Sequence, residues 1–311
     1  MKLYDLQGND FLTLADYSKE ELMYLIELAI DLKEKQKLGI PHRLLEGKTL
    51  GMIFEKSSTR TRVSFEAGMF QLGGHALFLS KDDLQMGRGE TIADTAKVLS
   101  RYVDGMMVRT FAHSIIEELA ENATVPVING LTNEYHPCQV LADLMTIYEK
   151  KGSFEGKKLT YIGDGNNMAH SLMIGSAIMG MDCVITTPKG YEVDQSIFAK
   201  AQELAGKSGA KIEQTHDVVA ACKDADVIYT DVWTSMGWED ENEKRLKDFA
   251  DYQVNEALVL HAKDDYSFFH CLPAHREEEV TAAIIDGPNS VVFDEAENRL
   301  HAQKAILASI M

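Results

Sequence analysis

The sequence is poor in cysteine, in long apolar runs and in positive charge, and each shortage excludes a class of protein. Its four cysteines, at positions 138, 183, 222 and 271, lie far apart and form no Cys-x-x-Cys pair, so they predict neither a disulfide framework nor a zinc ribbon. No apolar run reaches the roughly 20 residues that a membrane-spanning helix needs. The opening segment MKLYDLQGND also lacks the apolar core of a signal peptide. Together these absences predict a cytoplasmic protein without a membrane partner.

The chain contains fewer basic residues than acidic ones. The sequence has 31 lysines and arginines against 49 aspartates and glutamates, which gives a formal net charge of −18. A protein this acidic repels polyphosphate at long range, so nucleic acid is not an expected partner. An anionic small substrate must instead be bound by a local basic cluster that works against the overall field.

What the sequence does contain is a regular alternation of short apolar runs with helical patterns. With 311 residues, 45% of them hydrophobic, the chain is long enough for two domains of ordinary size. The alternation predicts an α/β fold of two parallel-sheet domains, each a Rossmann-like three-layer sandwich. We expect residues 1–150 to form the first domain and residues 151–295 the second, with the polar segment 150–158 as a hinge and the final helix, 296–311, packing back on the first domain.

The apolar runs locate the strands of each sheet. In the first half the predicted strands are 49–56, 75–80, 105–110 and 124–130; in the second half they are 158–164, 183–188, 211–216, 226–233, 268–273 and 290–295. The first helix is predicted to begin at Ser18, with Glu21 completing a capping box. Ligands of such sheets bind at the carboxyl ends of the strands, so residues at those ends are the candidates for function.

The strongest candidate is the segment SSTRTR, residues 57–62, which follows a strand and opens a helix. The start of a helix offers unpaired backbone N–H groups and a partial positive charge, and this one adds several hydroxyls and two arginines. A capped helix with solvated arginines is the ordinary alternative, but a cap needs only one hydroxyl. The segment therefore predicts a phosphate-binding site.

Two more candidates come from the same predicted sheet. Arg109 ends a strand, and His136 and Gln139 flank Pro137, which is typical of a first helical position. A surface arginine and a structural histidine are the ordinary alternatives. Three such groups at strand ends of one sheet favour a shared site.

These motifs resemble the carbamoyl-phosphate domain of the aspartate/ornithine carbamoyltransferase family. The family pattern Ser-Thr-Arg-Thr, then an arginine, then His-Pro-x-Gln falls on residues 58–61, Arg109 and residues 136–139. The resemblance implies that Ser58, Thr59, Arg60 and Thr61 bind the phosphate, and that Arg60, Arg109, His136 and Gln139 surround the carbamoyl group. Fixed donors of this kind polarise a carbonyl and stabilise the oxyanion that forms during attack.

The resemblance also implies an assembly. In the family, a loop corresponding to residues 81–91 reaches the neighbouring subunit's site, and Gln85 matches its phosphate-contacting residue. Arg299 in the last helix is included among the implied carbamoyl-phosphate ligands. The implied partner is therefore a second and third copy of the chain in a homotrimer with shared active sites, and assembly beyond the trimer stays open.

The second half resembles the ornithine branch of that family in two motifs, DVWTSMG at 231–237 and HCLP at 270–273. The resemblance implies that ornithine is bound by Asn167, Asp231, Ser235 and Met236. It implies that Cys271 and Leu272 lie beside the attacking amine and the carbamoyl phosphate. The activity it implies is carbamoyl transfer from carbamoyl phosphate to the side-chain amine of ornithine, giving citrulline and phosphate in arginine metabolism. The implied catalytic residues are Arg60, Arg109, His136, Asp231 and Cys271.

Several alternatives remain beside this interpretation. A carbamoyltransferase for another amine, such as putrescine, is the nearest, whereas aspartate would need extra basic residues that these motifs do not supply. The stretch Gly163-Asp164-Gly165-Asn166-Asn167 half-resembles a dinucleotide fingerprint, but Met168 stands where the third glycine belongs. His270, Cys271 and His275 could begin a zinc site, but no further ligand cluster of suitable spacing follows. The chemistry itself requires neither metal nor cofactor, and the proton acceptor is left open.

Overall fold

The structure is a computed structural model that describes residues 5–86, 88–235 and 239–311. The chain divides into two compact units, residues 1–145 with 297–311 and residues 146–296. Each unit is built on one parallel β-sheet, with four strands in the first and five in the second. The predicted α/β class with two parallel-sheet domains is therefore confirmed. The division falls inside the helices that cross positions 145 and 296, rather than in the polar segment 150–158.

The first unit has a four-stranded sheet in the order β2-β1-β3-β4. Its elements are α1 (Lys19–Lys37), β1 (Thr49–Phe54), α2 (Thr59–Gln71), β2 (His75–Ser80), α3 (Ile92–Leu99), β3 (Gly105–Arg109), α4 (His113–Asn122) and β4 (Val127–Leu131), followed by α5 (Pro137–Lys151), which crosses position 145. Strands β1, β3 and β4 are almost wholly buried, which is why they read as continuous apolar runs. Strand β2 lies at the sheet edge and is largely exposed or half-buried.

The first helix begins where the sequence predicts. The Ser18 Oγ accepts from the Glu21 backbone N–H at 3.2 Å, and the Glu21 carboxylate accepts from the Ser18 backbone N–H at 2.8 Å. This reciprocal capping satisfies N–H groups that the first turn of a helix leaves unpaired, and a cap of this kind typically stabilises by about 1 kcal/mol. The apolar face that follows, including Leu22, Leu25 and Ile26, is buried and holds α1 in the core.

The second unit has a five-stranded sheet in the order β7-β6-β5-β8-β9. Its elements are β5 (Lys158–Ile162), α6 (Asn167–Met179), β6 (Asp182–Thr186), α7 (Gln195–Ser208), β7 (Ile212–Thr215), α8 (Val218–Cys222), β8 (Val227–Thr230), α9 (Asn242–Asp248), α10 (Glu256–Val259), β9 (Ser267–His270), α11 (Ala282–Ile285) and α12 (Val292–Ile310), which crosses position 296. The central strand β5 pairs with β6 and β8, so residues that follow β5 and β8 lie at the same edge.

One predicted strand is wrong. Residues 290–295 form no strand: Ser290 makes a single bridge to Phe268, and α12 begins at Val292. A short apolar run cannot by itself be assigned to strand or helix. In the helix, Val292 is buried while Phe293 is 71% exposed, and Glu295 is buried one turn later. The last helix is therefore longer than the sequence predicts.

The other predicted strands are present, and most of them end earlier than predicted, whereas β2 has its predicted range and β4 ends one residue later. Strand β1 ends at Phe54, β8 at Thr230 and β9 at His270. Candidate residues such as Ser58, Asp231 and Cys271 thus follow the strands, whereas Arg109 is the last residue of β3. Among the helices of the described residues, none combines the length and the apolar character that a membrane crossing would need.

Candidate active site

The first group of candidate residues lies where β1 leads into α2. Ser58 caps α2: its Oγ accepts from the Thr61 backbone N–H at 3.2 Å and donates to the Thr61 Oγ1 at 3.0 Å. One hydroxyl therefore serves the helix, and those of Ser57 and Thr59 exceed that need. The first turn of α2 contains no acidic residue, so the partial positive charge of the helix start is available to an anion.

A cavity of about 340 Å³ opens beside this helix start. Its lining includes Ser58 and Thr59 from α2, and Lys81 from the segment after β2. The space is large enough for a small anion, and two of the predicted phosphate ligands, Ser58 and Thr59, border it, whereas Arg60 and Thr61 are not part of its lining. Glu55 and Asp82 also contribute to the lining, so the cavity as a whole has mixed charge.

Arg109 and His136 are buried near the same helix start. Arg109 is the last residue of β3 and pairs in register with Phe54, the last residue of β1. The pKa of His136 lies well below its ordinary value because burial disfavours the imidazolium, and because Arg299, Arg109 and Arg60 add positive charge around it. His136 is therefore a neutral imidazole among three arginines. Such a group donates or accepts a hydrogen bond without adding a fourth charge.

Arg299 from α12 joins the starts of α2 and α5. Its guanidinium donates from Nη1 to the Gln139 Oε1 and from Nη2 to the Thr61 Oγ1 at 3.3 Å, and only 3% of the residue is exposed. Gln139 in turn donates its amide to the Asp143 carboxylate at 2.8 Å. The structure therefore brings together Thr61, Gln139 and Arg299 by direct contact, although they are distant in sequence.

Gln85 stands apart from this group. It lies in the loop before α3, its side chain is exposed, and its backbone carbonyl accepts from the Arg88 N–H at 2.8 Å. Within the described part of the chain, no hydrogen bond joins the Gln85 side chain to the other predicted phosphate ligands. A residue in such a position is available to a second molecule.

The second group of candidate residues lies after β8 and β9, which are neighbours in the second sheet. Thr230 pairs with His270, so the residues that follow them, Asp231 and Cys271, come side by side. The Cys271 thiol donates to the Asp231 Oδ1 at 3.1 Å, and the Asp231 residue is only 7% exposed. A buried carboxylate next to a thiol is suited to binding a cationic amine.

The remaining ornithine-type positions follow the same sheet edge. Asn167 is the first residue of α6 and is half-buried. Ser235 is half-buried in the segment after β8, and Met236 lies outside the described residues. Leu272 has a left-handed backbone, with φ of +57°, and its N–H donates to the His270 Nδ1 at 2.9 Å.

Two buried glutamates behind this segment were not identified from the sequence. The His270 Nε2 lies 3.0 Å from the Glu279 Oε1, with both side chains fully buried. Because His270 Nδ1 accepts from Leu272, its Nε2 carries the proton that Glu279 accepts. Glu295 accepts from the His270 backbone N–H at 3.1 Å and from the Tyr229 hydroxyl at 3.0 Å. No sequence signal distinguishes Glu279 from its exposed neighbours in the run Arg276 to Glu279.

Potential metal donors also occur here. The ligand atoms of Asp231, His270 and Cys271 lie within 4.8 Å of one another. The sequence suggested no such cluster because Asp231 precedes Cys271 by 40 positions. The Cys271–Asp231 and His270–Glu279 hydrogen bonds account for the arrangement without an ion.

Arg245 is a further residue that sequence reasoning missed. It is 6% exposed, and its guanidinium binds the Asp164 Oδ2 at 2.7 Å, the Trp233 carbonyl at 2.9 Å and the Glu241 carboxylate at 3.0 Å. These contacts tie the end of β5 to both sides of the segment that contains Ser235. In sequence, Arg245 stands in an ordinary charged helix and gives no sign of this role.

Comparison with known proteins gives matches along the whole chain. Residues 9–149 match the carbamoyl-P binding domain of aspartate/ornithine carbamoyltransferase, and residues 155–310 match its Asp/Orn binding domain. The chain is 63% identical to ornithine carbamoyltransferase of Anoxybacillus flavithermus, covering 98% of each protein. It is 62% identical to the anabolic ornithine carbamoyltransferase of Pyrococcus furiosus over 98% of the chain and 97% of that protein. The solved structure of ornithine carbamoyltransferase from Pyrococcus furiosus superposes with a TM-score of 0.97, at 61% identity and 99% coverage of both chains.

Proposed function

The chain belongs to the aspartate/ornithine carbamoyltransferase family, and on that basis we propose that it transfers the carbamoyl group of carbamoyl phosphate to the side-chain amine of L-ornithine. The products are L-citrulline and phosphate. The observation that carries this assignment is the buried Asp231 carboxylate beside the Cys271 thiol. That pair suits a cationic amine and repels the extra carboxylate of aspartate.

The first unit would bind carbamoyl phosphate. Ser58, Thr59 and Thr61 offer hydroxyls at a helix start, and Arg60 adds charge for the phosphate dianion. Arg109 and neutral His136 would donate to the carbamoyl oxygen, which becomes an oxyanion when the amine attacks. Leaving phosphate would remain paired with Arg60 as the C–O bond breaks.

The carbamoyl amide has its own set of partners in this proposal. The Gln139 Oε1 is oriented by Arg299 and would accept from the carbamoyl NH₂ group. Because the Gln139 amide donates to Asp143, its carbonyl end is fixed toward Arg299 and the start of α2. Fixed groups of this kind contribute to catalysis because they need no reorganisation during the reaction.

The second unit would bind ornithine. Asp231 would pair with an ammonium group, and Asn167, Ser235 and Met236 would complete the site for the amino-acid end. A free amine of this type has an ordinary pKa of about 10.4, so ornithine arrives protonated and must lose a proton before attack. Cys271 and Leu272 would orient the neutral amine. The departing phosphate is itself a base and would accept the proton that the attacking amine still carries.

The test of this proposal is the choice of acceptor. Putrescine lacks the α-carboxylate, and a buried site left with unpaired polar groups rejects such a ligand strongly. Lysine is longer by one methylene, which misplaces the amine by about 1 Å and costs on the order of 100-fold. We expect ornithine to exceed putrescine, lysine and aspartate in kcat/KM by at least about 100-fold in a citrulline-type colorimetric assay. Comparable values for putrescine and ornithine would overturn the acceptor, but not carbamoyl transfer.

We also propose a homotrimer in the cytoplasm, acting in arginine biosynthesis. The exposed Gln85 side chain in the 81–91 loop supports a site completed by a neighbouring chain. The edge strand β2, whose residues are exposed or half-buried, supports a subunit interface at this edge of the sheet. Mixing an Arg60→Gln variant with a Gln85→Ala variant should restore activity above either parent, because some sites then combine two intact contributions. A monomeric mass in solution together with no restored activity would end this proposal.

A further inference from the structure

Asn166 lies outside the motifs DVWTSMG and HCLP, which resemble the ornithine branch of the family. In the structure its side chain contacts Asp231, a residue of the proposed ornithine site. It caps α6, with its backbone in the extended region and its side chain half-buried. The Asn166 Nδ2 donates to the Asp231 Oδ2 at 2.8 Å, across 65 positions of sequence. One side chain thus joins the start of α6 to the carboxylate that follows β8.

The orientation of the Asn166 amide is fixed by its other contacts. Its Oδ1 accepts from the backbone N–H groups of Met168 at 2.9 Å and Ala169 at 3.3 Å. The Tyr161 hydroxyl also donates to this oxygen, at 3.2 Å. A reversed amide would point its NH₂ group at two backbone donors, so the helix start forces the NH₂ group toward Asp231.

Asp231 consequently has each carboxylate oxygen committed to a donor. Oδ2 accepts from Asn166, while Oδ1 accepts from the Val232 backbone N–H at 2.8 Å and from the Cys271 thiol at 3.1 Å. Removal of the Asn166 donor would leave Oδ2 without its partner on a carboxylate that is only 7% exposed. The carboxylate would then be free to rotate away from Cys271.

We propose that Asn166 is a positioning residue for carbamoyl transfer: it holds the Asp231 carboxylate in the orientation that binds the amine of ornithine beside Cys271. This inference rests on the proposed function, since it assigns Asn166 a role through Asp231. Asn166 acts on Asp231 through its amide NH₂ group. Its side-chain oxygen has a separate function, which is to cap α6. The two functions can be separated by substitution.

Asn166→Asp separates them, because aspartate caps a helix as well as asparagine does and its charge favours the helix start. The variant therefore keeps the cap and loses the NH₂ donor. Asn255 supplies a matched control: it caps α10 in the same unit, and its side chain accepts from the Leu258 N–H at 3.1 Å. Asn255→Asp makes the same chemical change at the same kind of position, away from Asp231.

The pH dependence of Asn166→Asp is the discriminating measurement. Two carboxyl groups about 3 Å apart share a proton, so the pKa of the pair rises above the ordinary carboxyl range. Below that raised pKa the new group is neutral and donates its O–H to Asp231, as the amide did. Above it the donor is lost and the two carboxylates repel. The ratio of variant to wild-type kcat/KM for ornithine should therefore fall as pH rises.

The other charged and titratable groups around the pair are known. Tyr161, Asp164, His270 and Cys271 lie close to Asp231, and Arg245 forms an ion pair with Asp164. Burial and these acidic groups raise the pKa of Tyr161 well above its ordinary value, so it stays protonated throughout the assay range.

The experiment measures kcat/KM for ornithine at saturating carbamoyl phosphate from pH 6 to pH 9. We expect the Asn166→Asp ratio to decline by at least about 10-fold across this range, and the Asn255→Asp ratio to stay flat. Asn166→Ser, which retains a capping hydroxyl but cannot reach as a donor, should lose about 10- to 100-fold at every pH, with KM for carbamoyl phosphate unchanged.

The outcomes separate the two proposals. Absence of citrulline formation by the wild type would refute the proposed function itself. An active wild type in which both aspartate variants show the same flat ratio would overturn the role of Asn166. If Asn166→Asp fails to fold, Asn166→Ser decides: retention of wild-type kcat/KM for ornithine would equally overturn it.

Discussion

The two units of the molecule present opposite charges at the ends of their sheets. In the first unit Arg109 and Arg299 are buried near Arg60, and burial together with these three positive charges holds the pKa of His136 well below its ordinary value. In the second unit the buried charge is the Asp231 carboxylate, which is held by hydrogen bonds from an amide, a backbone N–H and a thiol. The comparison teaches that two similar sheets acquire opposite local charge through a few residues at or after the ends of the strands.

The net charge of −18 sharpens this contrast. The buried carboxylate of the second unit has the same sign as the net charge of the protein. An anion-binding site in the first unit must instead be locally positive in a protein that is negative overall. The first unit does so with arginines from three separate elements, of which Arg109 and Arg299 are buried, and with the start of α2. Burial strengthens such local charges and limits screening by salt.

The largest expected effect tests the cationic side of the comparison. Arg60→Gln removes one charged donor from the proposed phosphate site and should lower kcat by about 100- to 1,000-fold, as loss of a preorganised donor does. Steady-state kinetics with carbamoyl phosphate as the varied substrate give the measurement. Arg101→Gln, at an exposed arginine of the same unit, is the control and should remain near wild type. Near-normal turnover in a folded Arg60→Gln variant would remove the phosphate assignment.

The complementary change tests the anionic side. Asp231→Asn preserves shape but removes the buried charge, so ornithine affinity should weaken by about 100-fold while carbamoyl phosphate affinity changes little. Calorimetric titration with each ligand separates the two. Equal weakening of both ligands would break the comparison, because the units would then not divide the substrates by charge.

A smaller effect concerns the stability of the first unit. Lys304 is fully buried, its Nζ lies 3.0 Å from the Gln71 Oε1 and 3.1 Å from the His42 Nε2, and burial lowers its pKa from 10.5 to about 8. Between these two pKa values the unfolded chain binds more protons than the folded one, so stability rises with pH across that window. Lys304→Met should flatten this rise, which is on the order of 1 kcal/mol per pH unit.

Urea unfolding at pH 7.5, 8.5 and 9.5 measures the effect, and Lys97→Met at an exposed lysine is the control. The wild type and the control should gain stability with pH by the same amount. A Lys304→Met variant that keeps the full rise would show that Lys304 is not the titrating group.

The smallest expected effect is that His136 does not change its protonation state with pH. His136 is surrounded by Arg299, Arg109 and Arg60, and its pKa lies well below 6.5, so its imidazole should remain neutral at every pH above that value. NMR of ¹³C-labelled histidine should show no titration of His136 between pH 6.5 and 9. The rise of activity with pH would then belong to the amine of ornithine. A His136 signal that titrates near neutrality would contradict the buried cationic environment.

Much of the fold was accessible from the sequence because burial and periodicity are local signals. The capping box at Ser18 and Glu21 specified the start of α1, and buried strands such as β3 and β8 appeared as continuous apolar runs. The run 290–295 was misassigned because its apolar residues satisfy a strand and a helix equally well. Only its neighbours, including the buried Glu295 that binds Tyr229, decide for the helix.

The candidate sites divide in the same way. Contiguous motifs such as Ser58 to Thr61 and His270 to Pro273 are visible in sequence because the chemistry of each needs adjacent residues. Glu279, Arg245 and Asn166 are not, because each gains its partner from a distant element: His270, Asp164 and Asp231 respectively. From the sequence alone, Glu279 resembles a solvent-exposed glutamate, Arg245 an ordinary helical arginine and Asn166 a helix cap.

The sequence by itself determined the class of fold, the family and the residues that follow the strands, since apolar periodicity, caps and contiguous motifs are written locally. The tertiary structure alone decided which charges are buried together. The environment of a group depends on strand order and on helices that return from distant positions, as α12 does when it carries Arg299 to Thr61 and Gln139. Hydrogen bonds and charges act over a few ångströms of space, and separation along the chain does not enter their energy.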